Sequence, residues 1–322
     1  MRILDILKST DEQHPVTAAG IIEKLKQYSI EPERKSVLRD IGTLTDYGYD
    51  IVLCSDNKKG YFMASRDFED WELKVLMDAV QSARFLSKSD SDALIDKLCA
   101  QASTDSQRTL RLMTIPAEGK SGSRSTKLAI DTVLRAMRSH NKVSFDYLYT
   151  DESLQIVSKH PDDTRPVSPY ALVWRGDRYY LIGCYDGSEV LSYYRLDRIH
   201  GMEILDDRAL PLRSVLGTDA ETALREFVRK NIYNFKGETV GVRLKVTSGG
   251  VDTIKDSFGA ETSVHKNPDG TLTAMINVSD SEGLYLWLMR HAKDVVVLEP
   301  EHIRAEMRRR LEEMLEQYRK ED

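Results

Sequence analysis

Apolar residues recur at helical spacing from the start of the chain. Ile3, Leu4, Ile6 and Leu7 mark a short amphipathic helix over Met1–Ser9. Thr17 can cap a second helix whose inner face is Ala18, Ile21, Ile22, Leu25 and Tyr28. Pro32 suits the first turn of a third, which runs to Tyr47 and stops at Gly48. In this helix Val37, Ile41 and Leu44 stand at i, i+4 and i+7 and face a core together. At about 100° per residue, Lys35, Ser36, Arg39 and Thr43 then point the opposite way. Beyond Gly48, Tyr49–Leu53 and Gly60–Ala64 read as strands around Ser55-Asp56-Asn57-Lys58-Lys59, a hairpin with a basic tip.

From Asp67 the pattern is helical alone. Asp67 can cap a helix carrying Trp71, Val75, Leu76, Ala79, Val80 and Ala83, and a second stretch carries Ala93, Leu94 and Leu98. These helices form a bridge to the following module, a dimer contact, or both. Ser103–Thr126 is polar, contains Pro116 and ends in Gly119-Lys120-Ser121-Gly122-Ser123-Arg124-Ser125, the composition of a flexible linker. The Gly-Lys-Ser triplet is no P-loop, because Thr114 stands where that pattern requires its first glycine. Ile130, Val133, Leu134 and Met137 make the inner face of a helix that leads into a strand over Val143–Tyr149. The runs Tyr170–Trp174, Tyr179–Tyr185 and Val190–Leu196 are separated by Gly176-Asp177 and Asp186-Gly187, which predicts a β-meander within a small barrel. After Leu210-Pro211, Val240, Val242, Leu244 and Val246 alternate with polar residues as a half-buried strand. A helix over Val251–Phe258, a hairpin turned at Asp269-Gly270, a helix over Leu284–Ala292, a strand over Val295–Leu298 and a helix opened by Pro300 follow. That order, β-α-β-β-α-β, predicts a ferredoxin-like sandwich.

At 322 residues the chain has room for two or three domains. No apolar run approaches the ~20 residues of a membrane span, and Asp5 interrupts the apolar N-terminus. A cytoplasmic protein with no membrane partner is expected. Cys54, Cys99 and Cys184 are too scattered for a disulfide framework and read as reduced thiols. The histidines His14, His140, His160, His200, His265, His291 and His302 never stand at metal-ligand spacing, so neither metal nor cofactor is expected. No nucleophile elbow or GxGxxG loop appears. The net charge of −6 argues against a broadly basic nucleic-acid binder, and Met1–Arg66 carries ten Lys/Arg against ten Asp/Glu. Any DNA contact must then come from a local patch. Lys35 and Arg39, like charges four apart, cost an isolated helix roughly 0.2–0.5 kcal/mol unless a polyanion lies opposite. In the last helix, Arg304, Arg308, Arg309 and Arg310 alternate with Glu306, Glu312, Glu313 and Glu316, a salt-bridged solvent face rather than a nucleic-acid surface.

Tyrosine and arginine interleave through Arg165-Pro166-Val167-Ser168-Pro169-Tyr170, Tyr179-Tyr180-Leu181 and Tyr194-Arg195-Leu196-Asp197-Arg198-Ile199. This order resembles the WYL domain of bacterial transcription regulators, with Tyr179 in place of the tryptophan that names the motif. Ala136 to Tyr147 is similar to the helix and strand that open such domains. Arg34-Lys35-Ser36-Val37-Leu38-Arg39-Asp40-Ile41 followed by Gly48 resembles the DeoR-like winged helix that precedes them. Phe258-Gly259 and Leu298-Glu299-Pro300-Glu301 resemble their C-terminal extension.

The resemblance implies an α+β multidomain chain: a winged helix-turn-helix over 1–66, a helical bridge and linker over 67–126, an SH3/Sm-like WYL sensor barrel over 127–212 and a ferredoxin-like α/β extension over 213–322. It implies a homodimeric, non-enzymatic transcription regulator that meets double-stranded operator DNA through Lys35, Ser36, Arg39, Thr43, Lys58 and Lys59. For the sensor it implies a ligand face of Tyr147, Arg165, Tyr170, Tyr180, Arg195 and Arg198. Guanidinium groups hold phosphate and tyrosines stack on bases, so the expected effector is a nucleotide or a single-stranded nucleic acid. Strand alternation puts Arg195 and Arg198 on opposite faces unless the chain bends at Asp197. A different class of function stays open, in which the barrel serves a nucleotide- or RNA-binding accessory protein or an enzyme and the N-terminal module docks proteins.

Overall fold

The computed structural model describes residues 2–54, 60–115, 120, 124–158 and 166–319, which fall into two compact units, 1–124 and 125–322. Both are mixtures of helices and antiparallel sheet.

The first unit opens with α1 (Arg2–Lys8), α2 (Ala18–Lys26) and α3 (Arg34–Asp46), followed by β1 (Ile51–Cys54) and β2 (Gly60–Met63). The Thr17 hydroxyl accepts the Gly20 N–H at 3.0 Å and caps α2. An extended Glu33 precedes α3, so Pro32 lies before the helix instead of in its first turn. Leu7, Ile21, Leu25, Val37, Ile41 and Met63 form one core. Tyr28 is not part of it. It lies beyond the end of α2, half exposed, with the Arg2 guanidinium 4.4 Å from its ring centre. The hairpin pairs Ile51 with Met63, and Val16 and Tyr61 exchange backbone hydrogen bonds of 2.9 and 2.7 Å that tie it to the residues before α2.

Next come α4 (Asp70–Ser82), α5 (Lys88–Cys99) and α6 (Thr104–Met113). Three expectations are corrected here. Glu69, in a reciprocal capping box with Glu72, starts α4 in place of Asp67. The buried stripe is Leu73, Met77 and Val80 against Ile95, Cys99 and Leu110, while Trp71, Val75, Leu76 and Leu94 are exposed. The expected linker also contains α6, capped by the Ser103 hydroxyl, which accepts the Ser106 N–H at 3.2 Å, and held down by Leu110. Lys120 donates to the Val80 carbonyl at 3.1 Å and to the Ser91 hydroxyl, a structural anchor rather than a phosphate ligand.

The second unit begins with α7 (Arg124–Ser139), β3 (Asn141–Thr150), β4 (Ile156–Ser158), β5 (Val167–Arg175), β6 (Arg178–Tyr185), β7 (Ser192–Arg195) and β8 (Ile199–Arg208). Its curled sheet runs β4-β3-β5-β6-β7, with β8 also paired to β3. The meander is present. Gly176 and Asp177 both take left-handed φ values, 55° and 61°, the geometry of a two-residue hairpin turn. One sheet face packs Val143, Leu181 and Leu196 under Ala129, Val133 and Ala136 of α7; Leu134 faces outward. The other face packs Ile182, Cys184 and Leu191 under α8 (Leu212–Leu216) and α9 (Ala220–Lys230), where Phe227 stacks on Tyr193 at 5.1 Å.

The chain ends with β9 (Thr239–Val246), α10 (Gly250–Phe258), β10 (Val264–Lys266), β11 (Leu272–Ser279), α11 (Glu282–Arg290), β12 (Val295–Glu299) and α12 (Glu301–Arg319). The sheet order is β10-β11-β9-β12, antiparallel throughout. Val242, Leu244 and Val246 are buried while Arg243 and Lys245 between them are exposed, the period-2 pattern of a sheet covered on one face. The two sheets of this unit meet at Asn231, which is 2% exposed. Its amide donates to Phe227 O at 2.7 Å, and its side-chain oxygen accepts the Ser279 hydroxyl at 2.7 Å. Arg175 donates to the Asn231 and Val228 carbonyls at 2.8 and 3.1 Å, satisfying the end of α9.

Candidate nucleic-acid interface and sensor face

Burial of Val37 and Ile41 fixes the rotation of α3 about its axis. Lys35, Arg39 and Thr43 are consequently exposed and Ser36 half-buried. Among the described residues neither Lys35 nor Arg39 forms an ion pair. The Thr43 hydroxyl donates to the Arg39 carbonyl at 3.0 Å, which leaves its lone pairs outward. Lys58 and Lys59, the expected basic tip of the hairpin, lie outside the described residues.

On the sensor face the expected residues are only partly gathered. Tyr180 and Arg195 are cross-strand partners. The Arg195 N–H donates to the Tyr147 hydroxyl at 3.1 Å, while the Tyr147 ring meets Tyr194 edge-on at 5.9 Å inside the α7-side core. Tyr170 packs on the opposite side, against the Ile182 and Cys184 cluster, and burial pushes its phenol up to about 12. A 3₁₀ turn over Leu196–Arg198 supplies the bend at Asp197 and leaves Arg198 exposed. Arg165 lies outside the described residues.

Asp197 was assigned no part in this face, and it is the residue that organises it. Arg195 donates to both of its oxygens, at 3.1 and 2.7 Å, and Arg178 donates at 2.9 Å. The bidentate bond raises the guanidinium of Arg195 against the opposing effect of burial. Burial acts to raise the Asp197 carboxyl, but the bond and charge of Arg195 and the charge of Arg178 outweigh it and hold the group below its ordinary value. Such a carboxylate stabilises the fold fully above its unfolded value of about 3.9 and loses that contribution as pH falls through the lower folded value. Asp197→Asn is therefore expected to melt with a shallower acid dependence than the parent between about pH 5 and pH 2. Identical slopes in a pH series of thermal melts would remove Asp197 from this balance.

The sequence reading also passed over a cleft of about 540 Å³ beside the β5–β6 turn, lined by Arg175, Arg229, Arg290, His291, Tyr233 and Trp287 among others. Its cations come from three separated stretches of chain, so no local motif marks it. Arg175, at the end of β5, is bonded to the end of α9. Asp256 lies on the same lining. Among the described residues no cluster of three or more His, Cys, Asp or Glu is arranged to hold a metal ion, and no helix is long and apolar enough to cross a membrane.

Residues 129–204 match the WYL domain family and residues 238–315 match the WCX domain family. Among solved structures, proteasome accessory factor B/C (PafBC) of Arthrobacter aurescens is similar at 20% identity, covering 92% of this chain and 45% of that one, with a TM-score of 0.31. The chain spans less than half the length of that structure. No curated protein matches it. The meander that carries Tyr180, Arg195 and Asp197 lies within the first match, and the β9–β12 sandwich with most of α12 within the second, so the chain carries a WYL domain followed by a WCX domain.

Proposed function

We propose that the chain is a homodimeric transcription regulator that binds operator DNA through α3 and senses an anionic, nucleotide-like or single-stranded nucleic-acid effector through its WYL domain. The observation that carries this reading is the row Lys35, Arg39 and Thr43, exposed on the third helix of a three-helix module that is followed by a hairpin. In this reading the first module, 1–66, is a winged helix-turn-helix, 67–126 a helical bridge, 127–212 an SH3/Sm-like barrel and 213–322 a ferredoxin-like sandwich. Support for the last comes from the strand order β10-β11-β9-β12. Ser36 at the edge of the row, with Lys58 and Lys59 on the phosphates, completes the DNA set.

In this reading the effector meets the half-buried Tyr180 and the exposed Arg198, Tyr147 and Tyr170 support the sheet from its opposite sides, and Arg165 completes the set. Arg195 then reads the effector by exchange. An incoming phosphate competes with Asp197 for the guanidinium, and that competition couples binding to the 3₁₀ turn. Fluorescence anisotropy on genomic duplex fragments, with a panel of nucleotides and short single strands, tests this. One panel member is expected to shift duplex affinity by about 5–150-fold, and Arg195→Ala to abolish the shift while duplex binding remains. A panel that changes neither affinity nor melting temperature would remove the sensing role.

A further inference from the structure

We propose that the cleft beside the β5–β6 turn binds a small phosphomonoester whose body carries hydroxyl groups, with the phosphate held by Arg229 and Arg290 and the hydroxyls set against Asp256. This site is separate from the effector face and does not depend on it.

The cleft lies where the two matched domains join. Arg175 comes from the end of β5, Arg229 from α9, Tyr233 from the connecting turn, Asp256 from α10 and Arg290 from α11. Its volume of about 540 Å³ falls inside the range of roughly 300–1,000 Å³ for small-molecule sites. Trp287, 3% exposed, is fixed in the wall: its indole N–H donates to the Ser257 hydroxyl at 3.0 Å, and its ring meets Phe258 edge-on at 4.8 Å. That bond occupies a lone pair of Ser257 and leaves its O–H free to donate.

Arg229 and Arg290 each stand in the last turn of a helix, where the dipole favours a cation. Helix capping does not account for both. The last carbonyls of α9 are already satisfied by Arg175 and the Asn231 amide. Neither Arg229 nor Arg290 bonds to a carbonyl or pairs with a carboxylate among the described residues. Glu226, three residues before Arg229, is committed to Lys230 at 3.0 Å. By contrast Arg178, Arg195, Arg309 and Arg310 are all paired within the chain. Two unpaired guanidinium groups on one concave lining repel each other, and an anion between them turns that repulsion into charge-assisted hydrogen bonds. A phosphomonoester, with a charge of about −1.5 to −2 at neutral pH and three acceptor oxygens, matches two such forks.

Asp256 narrows the ligand further. It lies on the same lining, has no hydrogen-bond or ion-pair partner among the described residues, and when ionised can only accept. Bare phosphate would meet this carboxylate unfavourably. A ligand with hydroxyl donors on its body satisfies it, and the hydroxyls of Thr253 and Ser257 on the same helix lie on the lining to assist. The ring of Tyr233, 38% exposed, offers an apolar wall to the carbon body.

Calorimetric titrations and thermal melts of the full chain with ribose 5-phosphate, ribose and inorganic phosphate test this, with Arg229→Ala, Arg290→Ala and Asp256→Ala. All three positions are exposed, so the fold tolerates the changes. The sugar phosphate is expected to bind about tenfold or more tightly than either fragment and to raise the melting temperature. Each arginine change is expected to weaken it by about tenfold or more, while Arg225→Ala, one turn back on α9 and off the lining, leaves it unchanged. Asp256→Ala is expected to bring the sugar phosphate and inorganic phosphate to within about threefold of each other. No binding by the parent, or binding that survives both arginine changes, would overturn the site. Equal affinity of the parent for sugar phosphate and inorganic phosphate would overturn the part given to Asp256 and with it the ligand class. Loss of binding in Arg198→Ala in place of the two arginine variants would move the ligand to the effector face, and a single strand binding here more tightly than the sugar phosphate would overturn the small-ligand assignment.

Discussion

Gly283→Ala is expected to destabilise the second unit by about 3 kcal/mol, the upper range for forcing atoms into a packed interior. The sign is the diagnostic part. Gly283 lies in the first turn of α11, and in an open helix alanine is the better residue by up to about 1 kcal/mol. Here a Cβ at 283 would sit 1.9 Å from the Ile232 carbonyl oxygen and 2.8 Å from its carbon, backbone atoms that cannot swing away. Ile232 belongs to the turn after α9, where Tyr233 and Asn234 hold left-handed φ values of 52° and 65°. That turn sits beside Asn231, through which the WYL sheet and the WCX sandwich are joined. Gly42→Ala is the control, since a Cβ there meets nothing within 4 Å. Urea melts showing Gly283→Ala as stable as the parent would mean that α11 does not press on this turn.

Arg39→Ala is expected to weaken binding to the preferred duplex by about 1–3 kcal/mol, roughly 5–150-fold, and to relax the choice of base at one position per half-site. Loss of a phosphate contact would act differently, weakening all duplexes alike and reducing the salt slope by about one unit. Lys58→Ala and Lys59→Ala are assigned that second pattern. The two outcomes separate in one anisotropy series at several salt concentrations, and equal affinity for preferred and random duplex in both parent and variant would take Arg39 out of the groove.

Much of the fold was legible because period and punctuation agreed. Val242, Leu244 and Val246 alternate strictly, and Gly176-Asp177 and Asp269-Gly270 are turn chemistry between apolar runs. Legibility failed where a helix offers two apolar stripes. In α4, Trp71 and Val75 lie one turn apart on one side and Leu73 and Met77 on another, and only packing with Ile95 and Leu110 decides between them. Helix α6 was hidden because Leu110 is its one buried residue, too little to show a period.

The α3 surface could be read from Val37 and Ile41, since burying one side of a helix exposes the other. The expected ligand face was legible only in part. Its tyrosines and arginines are visible in the sequence, but the pairing of Arg178 and Arg195 on Asp197 depends on a 3₁₀ turn and a cross-strand approach that no local pattern encodes.

Sequence-selective recognition of duplex DNA by α3 is tested most directly by selecting binders from a random duplex pool with the full chain, in parallel with its Arg39→Ala variant, and sequencing what is retained. The parent should enrich one motif, an inverted repeat whose half-sites lie about 34 Å, one helical turn, or a multiple of it apart. The variant should lose preference at one symmetry-related base in each half. A pool that emerges without a motif, or the same motif from parent and variant, would contradict the assignment of this helix to the operator.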